Sequence, residues 1–199
     1  MLDIPVVPED LLPTRPFYFL RHGETQFNLE RKFQGSIDIP LNDTGVAQAR
    51  AAARVLADHD LTRIVASPAN RVLKTASFTS EVTGVPMHID ADLMEFNVGS
   101  FEGQCIVTTK KAYGLDEADS FMSILPDDAE KWHEFVPRVC ASVRRWTDKY
   151  DDENLLIAAH GLVFRALTLS LLGEHLVSQN AEPYHFDPSD GGWQVRRLP

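Results

Sequence analysis

The order of elements in this sequence predicts an α/β fold, a three-layer α/β/α sandwich on a mostly parallel sheet. Three observations carry that expectation. Short, largely apolar runs, such as Phe17-Tyr18-Phe19-Leu20 and Asn154–Ala159, have the length and composition of buried strands. Between such runs lie segments whose apolar residues recur at steps of three and four, the period of a helix with one buried stripe. The chain has 199 residues, 44% hydrophobic and 24% charged, which suits one domain of ordinary composition on the usual prior of ~100–200 residues each. Strands alternating with helices read as parallel strands with crossover helices on both sheet faces.

Each element follows from local chemistry. The segment 1–16, with prolines at 5, 8, 13 and 16, reads as an extended N-terminal arm and not as a signal peptide, since it lacks a basic head and a long apolar run. A single domain is expected over 17–199, opening with the strand Phe17–Leu20. From Thr44 to about His59, Val46, Ala49, Ala53 and Leu56 keep helical spacing, and Asn42, Asp43 or Thr44 can cap the helix. Leu61–Ala66 is a second strand. Ser67-Pro68 then matches an N-cap followed by proline at the first helical position, for a helix running to Val82 and closed by Gly84. Met87–Ile89 reads as a third strand, and 90–126 as irregular. Asp128–Lys149 reads as a long helix whose Trp132, Phe135, Val139, Val143 and Trp146 face the core. A strand at 154–159, a helix over Leu162–Leu172 stopped near Gly173, a turn at Asp190-Gly191-Gly192 and a last strand at Trp193–Leu198 complete the order.

Composition narrows the function. A formal net charge of −10 argues against nucleic-acid or anionic-membrane partners, so an anionic ligand needs a local basic pocket. Cys105 and Cys140 form no CxxC pair and no zinc signature, and two reduced thiols fit a cytoplasmic protein. No apolar stretch reaches the length of a membrane span. His175, His185, Asp187 and Asp190 lack metal-ligand spacing and read as surface residues.

In sheets of this type ligands bind beyond the carboxyl ends of the strands. Three loops there carry Arg21-His22, Ser67–Arg71 and His160-Gly161. Two arginines offer forked donors matched to phosphate oxygens. Two histidines can act as nucleophile or proton carrier near neutral pH. Helices beginning near Pro68 and Leu162 would aim free N–H groups into the same crevice. Each short motif is weak alone; three hits at strand ends of one sheet point together to a phosphoryl group.

Leu20-Arg21-His22-Gly23-Glu24-Thr25 with Asn28 and Gln34-Gly35, Pro40-Leu41-Asn42 with Gly45 and Gln48-Ala49, Ser67-Pro68-Ala69-Asn70-Arg71 with Thr75-Ala76, Leu93-Met94-Glu95 with Gly99 and Phe101-Glu102-Gly103, and His160-Gly161-Leu162-Val163-Phe164-Arg165 occur in that order from residue 17 to about 172. Together they resemble the histidine phosphatase superfamily, in its phosphoglycerate-mutase-like branch 1. The resemblance implies a phosphatase acting on a phosphate monoester of a small metabolite through a phosphohistidine. His22 would be the nucleophile, and Arg21, Arg71 and His160 the rest of the phosphate pocket. Asn28 would add a phosphate hydrogen bond and Glu95 would be the proton donor, with Glu102 the competing carboxylate on residue type alone. Thr25, Gln34 and the Gly161 and Leu162 amides would be further contacts. No metal or cofactor is implied, because the arginines supply the charge a divalent ion supplies elsewhere. The alternatives are a phosphoglycerate mutase and, remotely, a non-catalytic phosphate-binding protein.

Two departures stand out. Ala129-Glu130-Lys131 occupies the place of a Gly-Glu-Ser triplet, which bears on substrate-side contacts. Phe101 replaces the commoner tryptophan and reads as packing. Lys110 and Lys111 are candidates for a second anionic group on the substrate, with a solvated pair the alternative. Selectivity is expected to lie in 104–126. The sequence does not specify the oligomeric state.

Overall fold

The computed structural model describes residues 7–189 and 191–199. Strand β1 (Phe17–Arg21) leads into a short α1 (Gln26–Leu29) and then α2 (Asp43–Leu56). Strand β2 (Arg63–Ala66) precedes α3 (Asn70–Thr83) and β3 (Met87–Ile89). After two 3-10 turns come α4 (Ile106–Ala112), a third turn at Phe121–Ile124, and α5 (Trp132–Lys149). Strand β4 (Leu155–Ala159), α6 (Gly161–Leu172), β5 (Pro183–Ser189) and β6 (Gly192–Arg197) complete the chain.

The six strands form one sheet in the order β3-β2-β4-β1-β5-β6. The first four are mutually parallel, and β5 and β6 run antiparallel at one side. Side chains alternate across the strands, and the two faces separate cleanly. Phe17, Phe19, Val65, Leu155 and Ile157 pack with Phe135, Val139 and Val143 of α5 and Phe164 and Leu167 of α6. Leu20, Ile64, Ala66, Leu156 and Ala158 pack with Ala52 and Leu56 of α2 and Val72 and Ala76 of α3. This is the expected three-layer sandwich. Trp132 and Trp146 join the first cluster, as their spacing predicts.

Several local expectations are revised. Ser67-Pro68 does not start α3. The helix begins at Asn70, whose amide donates to Asp38 Oδ1 at 3.0 Å, while the Ser67 hydroxyl bonds His160. The long helix starts at Trp132, not Asp128, because Asp128 and Glu130 accept bonds from the 97–100 loop. The stretch 90–126 is not wholly irregular, since α4 lies within it, and β5 was not anticipated. Glu9–Leu11 form a 3-10 turn; residues 1–6 of the expected arm and Asp190 of the expected turn lie outside the described residues. His185 stacks on Tyr18 with ring centroids 4.6 Å apart, and Asp187 pairs with Arg196. Among the described residues no helix is long and apolar enough to cross a membrane.

Candidate active site

The strand order builds the site. Because β4 lies between β2 and β1, the residues after these strands meet at one sheet edge although they are far apart in the chain. Arg21 ends β1, Ser67 follows β2 and His160 follows β4. Two close backbone approaches tighten the crevice. A Cβ on Gly23 would lie 2.4 Å from the Gly45 carbonyl oxygen, so the loop after β1 can touch the start of α2 only with glycine there. Gly161 opens α6 beside the Arg21 guanidinium, which a Cβ would meet at 3.4 Å.

Hydrogen bonds fix how each histidine carries its proton. His22 is 2% exposed. Its Nδ1 lies 2.8 Å from the Gly23 carbonyl, which can only accept, so Nδ1 carries the hydrogen and Nε2 keeps a free lone pair. Burial, then the charges of Arg21 and Arg71, hold its pKa well below the usual imidazole value. The His160 ring centroid lies 5.5 Å away. His160 Nδ1 faces Arg71 Nη2 at 3.3 Å and its Nε2 faces the Ser67 hydroxyl at 2.7 Å. Arginine only donates, so Nδ1 accepts and the neutral ring donates from Nε2 to Ser67. The Ser67 hydroxyl in turn donates to Met94 Sδ at 3.4 Å. Burial and Arg71 also hold the His160 pKa well down.

The arginines are anchored at one end and open at the other. Arg71, fully buried, donates from Nη1 to the Ile37 carbonyl at 2.7 Å and from Nη2 to the Gly35 carbonyl at 2.9 Å. Arg21 donates from Nη1 to the Ser178 carbonyl at 2.7 Å. The Nε atoms of both are buried without a partner. Buried donors are rarely left unsatisfied, and two orphaned guanidinium N–H groups beside two neutral imidazoles are what an incoming oxyanion would satisfy.

Glu95 completes the group. Its carboxylate accepts from the Phe96 amide at 3.1 Å and the Leu162 amide at 3.3 Å. Burial pushes its pKa up, with the two amides and the arginines opposing. The competing carboxylate is elsewhere occupied: Glu102 accepts from the Ser36 amide at 2.6 Å and its hydroxyl at 2.8 Å. The loop holding Glu95 is braced by Arg138, which donates to the carbonyls of Asp92 and Met94 and pairs with Glu130 at 2.6 Å. Glu130, the residue left from the altered triplet, is thus a brace for that loop.

Arg21, Asn28, Gln34, Glu95, Gly161 and Leu162 line one cavity of about 220 Å³. His22, Arg71 and His160 are buried and are not among its lining residues. Asn28 Oδ1 is held by the Thr25 amide at 3.1 Å and Asn180 Nδ2 at 3.3 Å. Thr25 is fully buried, its hydroxyl meeting Asn28 and Gln34 while it caps α1, so it braces the loop and does not face the cavity. The Leu162 amide is already taken by Glu95, and the first α3 amide by Asp38, which corrects the expectation of two free helix ends. The lysines expected near a second anion do not line the cavity: Lys110 is buried with its amine on the Glu117 carbonyl, and Lys111 is exposed. Ser178, Asn180 and Arg138 had no motif to mark them; each acts through a backbone carbonyl or a bracing bond.

The sequence matches the family described as the histidine phosphatase superfamily (branch 1) over residues 17–199. The chain belongs to that superfamily. It is 33% identical over 154 residues to the uncharacterized phosphatase PhoE of Bacillus subtilis (strain 168), covering 77% of this chain and 76% of that protein. It is 30% identical over 172 residues to a glucosyl-3-phosphoglycerate phosphatase of Mycolicibacterium vanbaalenii, covering 80% and 75%. A phosphoglycerate mutase structure from Bacillus anthracis superposes with a TM-score of 0.80 at 24% identity, over 96% of this chain and 95% of that one, and supports the fold. Relatives of this chain thus include phosphatases of the family.

Proposed function

We propose that the protein hydrolyses a phosphate monoester of a small metabolite through a phosphohistidine on His22, with residues 17–199 acting as one catalytic domain. The observation that carries this reading is the pair of orphaned arginine Nε donors beside a His22 whose Nε2 lone pair is free. Arg21 and Arg71 hold the phosphoryl oxygens, His160 joins them when its Nε2–H turns from the Ser67 hydroxyl to the substrate, Asn28 adds a donor, and Gln34 and the Gly161 amide stand at the rim. His22 Nε2 attacks phosphorus in line as the bond to the leaving oxygen breaks. Glu95 gives its proton to that oxygen. Water then attacks phosphorus, the P–N bond breaks, Glu95 regains a proton from the water, and His22 recovers its lone pair. Fixed donors aimed at the oxygens are the largest expected contribution.

Water is the acceptor in this reading, and not a second sugar-acid hydroxyl. A mutase must retain a bisphosphate, which needs added cations around the site. The segment over the cavity brings none to its lining: Lys110 and Lys131 are turned to the backbone carbonyls of Glu117 and Asp127, and Lys111 is exposed outside it. Two unbonded thiols, Cys105 and Cys140, support a cytoplasmic setting. Rapid acid and base quenches with labelled substrate test the intermediate. An adduct stable in base, labile in acid and absent from His22→Ala is expected; an acid-stable adduct overturns the assignment. Feeding 3-phosphoglycerate with and without its bisphosphate, and following free phosphate against 2-phosphoglycerate, tests the acceptor. Isomerisation outrunning phosphate release would make the enzyme a mutase.

A further inference from the structure

The cavity is lined by two cations that the chemistry above does not use, Lys32 and Arg165. Arg165 sits on α6 one turn beyond Gly161, about 6 Å along the axis, and lines the same cavity. Burial lowers its pKa and the Glu95 charge opposes that effect. Neighbouring cations are paired: Arg21 with the Ser178 carbonyl, Arg138 with Glu130, and Lys32 with Glu30 at 2.7 Å. Among the described residues Arg165 has no hydrogen-bond acceptor and no ion-pair partner for its guanidinium. Its guanidinium is half-buried at the cavity lining and open to an incoming acceptor. The wall around it is apolar, formed by Phe33, Phe96, Ile106, Phe121, Leu176 and Val177. Ile106 and Phe121 come from the 104–126 stretch, the place selectivity was expected to lie.

We infer that Arg165 is a specificity-determining residue, and that the leaving alcohol of the substrate is an apolar, ring-sized body bearing a second anionic group that pairs with Arg165. The inference rests on the reading of Arg21, Arg71 and His22 as the phosphoryl end of the cavity. The phosphoryl group takes that end, the apolar wall takes the body, and the second anion reaches Arg165 a helical turn away. A compact polar phospho-acid would leave the apolar wall unfilled. The shared chemistry is an anion on an apolar frame; a carboxylate and a second phosphate are the two sources to separate.

Three aryl phosphates alike in shape test this: 3-carboxyphenyl phosphate, 3-carbamoylphenyl phosphate and 1,3-phenylene bisphosphate. The wild-type enzyme is expected to prefer the carboxylate over the carboxamide by about tenfold in kcat/KM, a ratio equal to ~1.4 kcal/mol. In Arg165→Gln that ratio falls to near one, and in Arg165→Lys it is partly kept. A bisphosphate that outruns the carboxylate assigns the second anion as phosphate, and the reverse order assigns it as carboxylate; both support the inference. Equal rates on the carboxylate and carboxamide in wild type, or a ratio unchanged in Arg165→Gln, overturn it while leaving the phosphatase reading intact. If Arg165→Gln does not fold, the wild-type ratio and Arg165→Lys decide. Hydrolysis of none of the three overturns the phosphatase reading, and this inference with it.

Discussion

Glu95→Gln keeps the shape of a side chain but removes the proton it would donate. The structure allows the size and substrate dependence of the loss to be worked out. The carboxyl is buried and accepts two backbone amides, which favour its anion, yet burial dominates and raises its pKa. His22 is moved the opposite way, its pKa held well below that of a free imidazole. The two shifts move toward the combination the first step needs, an unprotonated His22 and a protonated Glu95. A bound phosphate dianion pushes Glu95 further the same way. General acid catalysis contributes ~10²–10⁴-fold, so Glu95→Gln is expected to lose about that much in kcat/KM on alkyl phosphates. An activated aryl phosphate needs little protonation of its leaving oxygen and should lose far less. The assay is a series of phosphates graded by leaving-group basicity, with kcat/KM reporting phosphoryl transfer to His22. The plot should steepen in the variant. On alkyl phosphates the wild type should lose activity as pH rises through the Glu95 pKa, and the variant should lack that limb. Equal losses across the series would refute the proton-donor role and leave Glu95 as a brace for the Leu162 amide.

Arg71→Lys keeps the charge but cannot hold the Gly35 and Ile37 carbonyls while presenting an Nε–H, so kcat/KM should fall about 10²–10³-fold, the usual cost of one preorganised donor, with vanadate inhibition weakening in parallel. Activity should persist in EDTA, since among the described residues no three His, Cys, Asp or Glu side chains gather as a metal site; loss on chelation restored by added metal would contradict this. Ser67→Ala strands the His160 Nε2 donor and should cost about 1–3 kcal/mol in denaturant unfolding. Asp90 pins its loop to α5 through Ser142, Trp146 and Arg145. Burial raises the Asp90 pKa, but these bonds outweigh it and lower the folded value. The stability it gives is therefore present above the ordinary carboxylate range and lost as pH falls through that lowered value. Asp90→Ala should be destabilised by about 1–3 kcal/mol at neutral pH, and the gap to wild type should close in acid.

Elements with a strong local pattern were legible in advance. β1 and β4 are short and wholly apolar through their buried positions, and α6 carries a left-handed Gly173 at its end. β5 was hidden by Pro183 and Pro188, residues that sequence pattern disfavours inside a strand. It accommodates them because Pro183 opens the strand and Pro188 lies beyond the reach of β1, paired only with Trp193 of β6. α4 was hidden by its seven residues, too few to show a period. The α3 start was misplaced because its cap comes from Asp38, a contact across the fold. The same distinction runs through the site. Arg21, His22, Arg71 and His160 sit where strands end, so topology announces them. Glu95 was separable from Glu102 only by resemblance, because burial and amide bonding, which distinguish the two, are tertiary facts. Arg138 and Asn180 act through partners far along the chain and leave no local trace.

The position of β4 has a consequence for how the enzyme comes into being. The central strand of the parallel set is the last of the four to be synthesised, and it must enter between two that were made much earlier; Ser67 and His160, bonded in the finished site, are 93 residues apart. Until residues 155–159 arrive, β1 and β2 each present a naked apolar edge, the kind of edge that recruits other chains. Closing so long a loop costs little more than closing a shorter one, about 0.6 kcal/mol for each doubling, but it delays the non-local pairing. Phosphate binding is therefore a late event in biogenesis. A nascent chain stalled before β4 would be sticky and inactive at once, and a phosphate analogue such as vanadate should protect the finished protein from unfolding without rescuing the unfinished one.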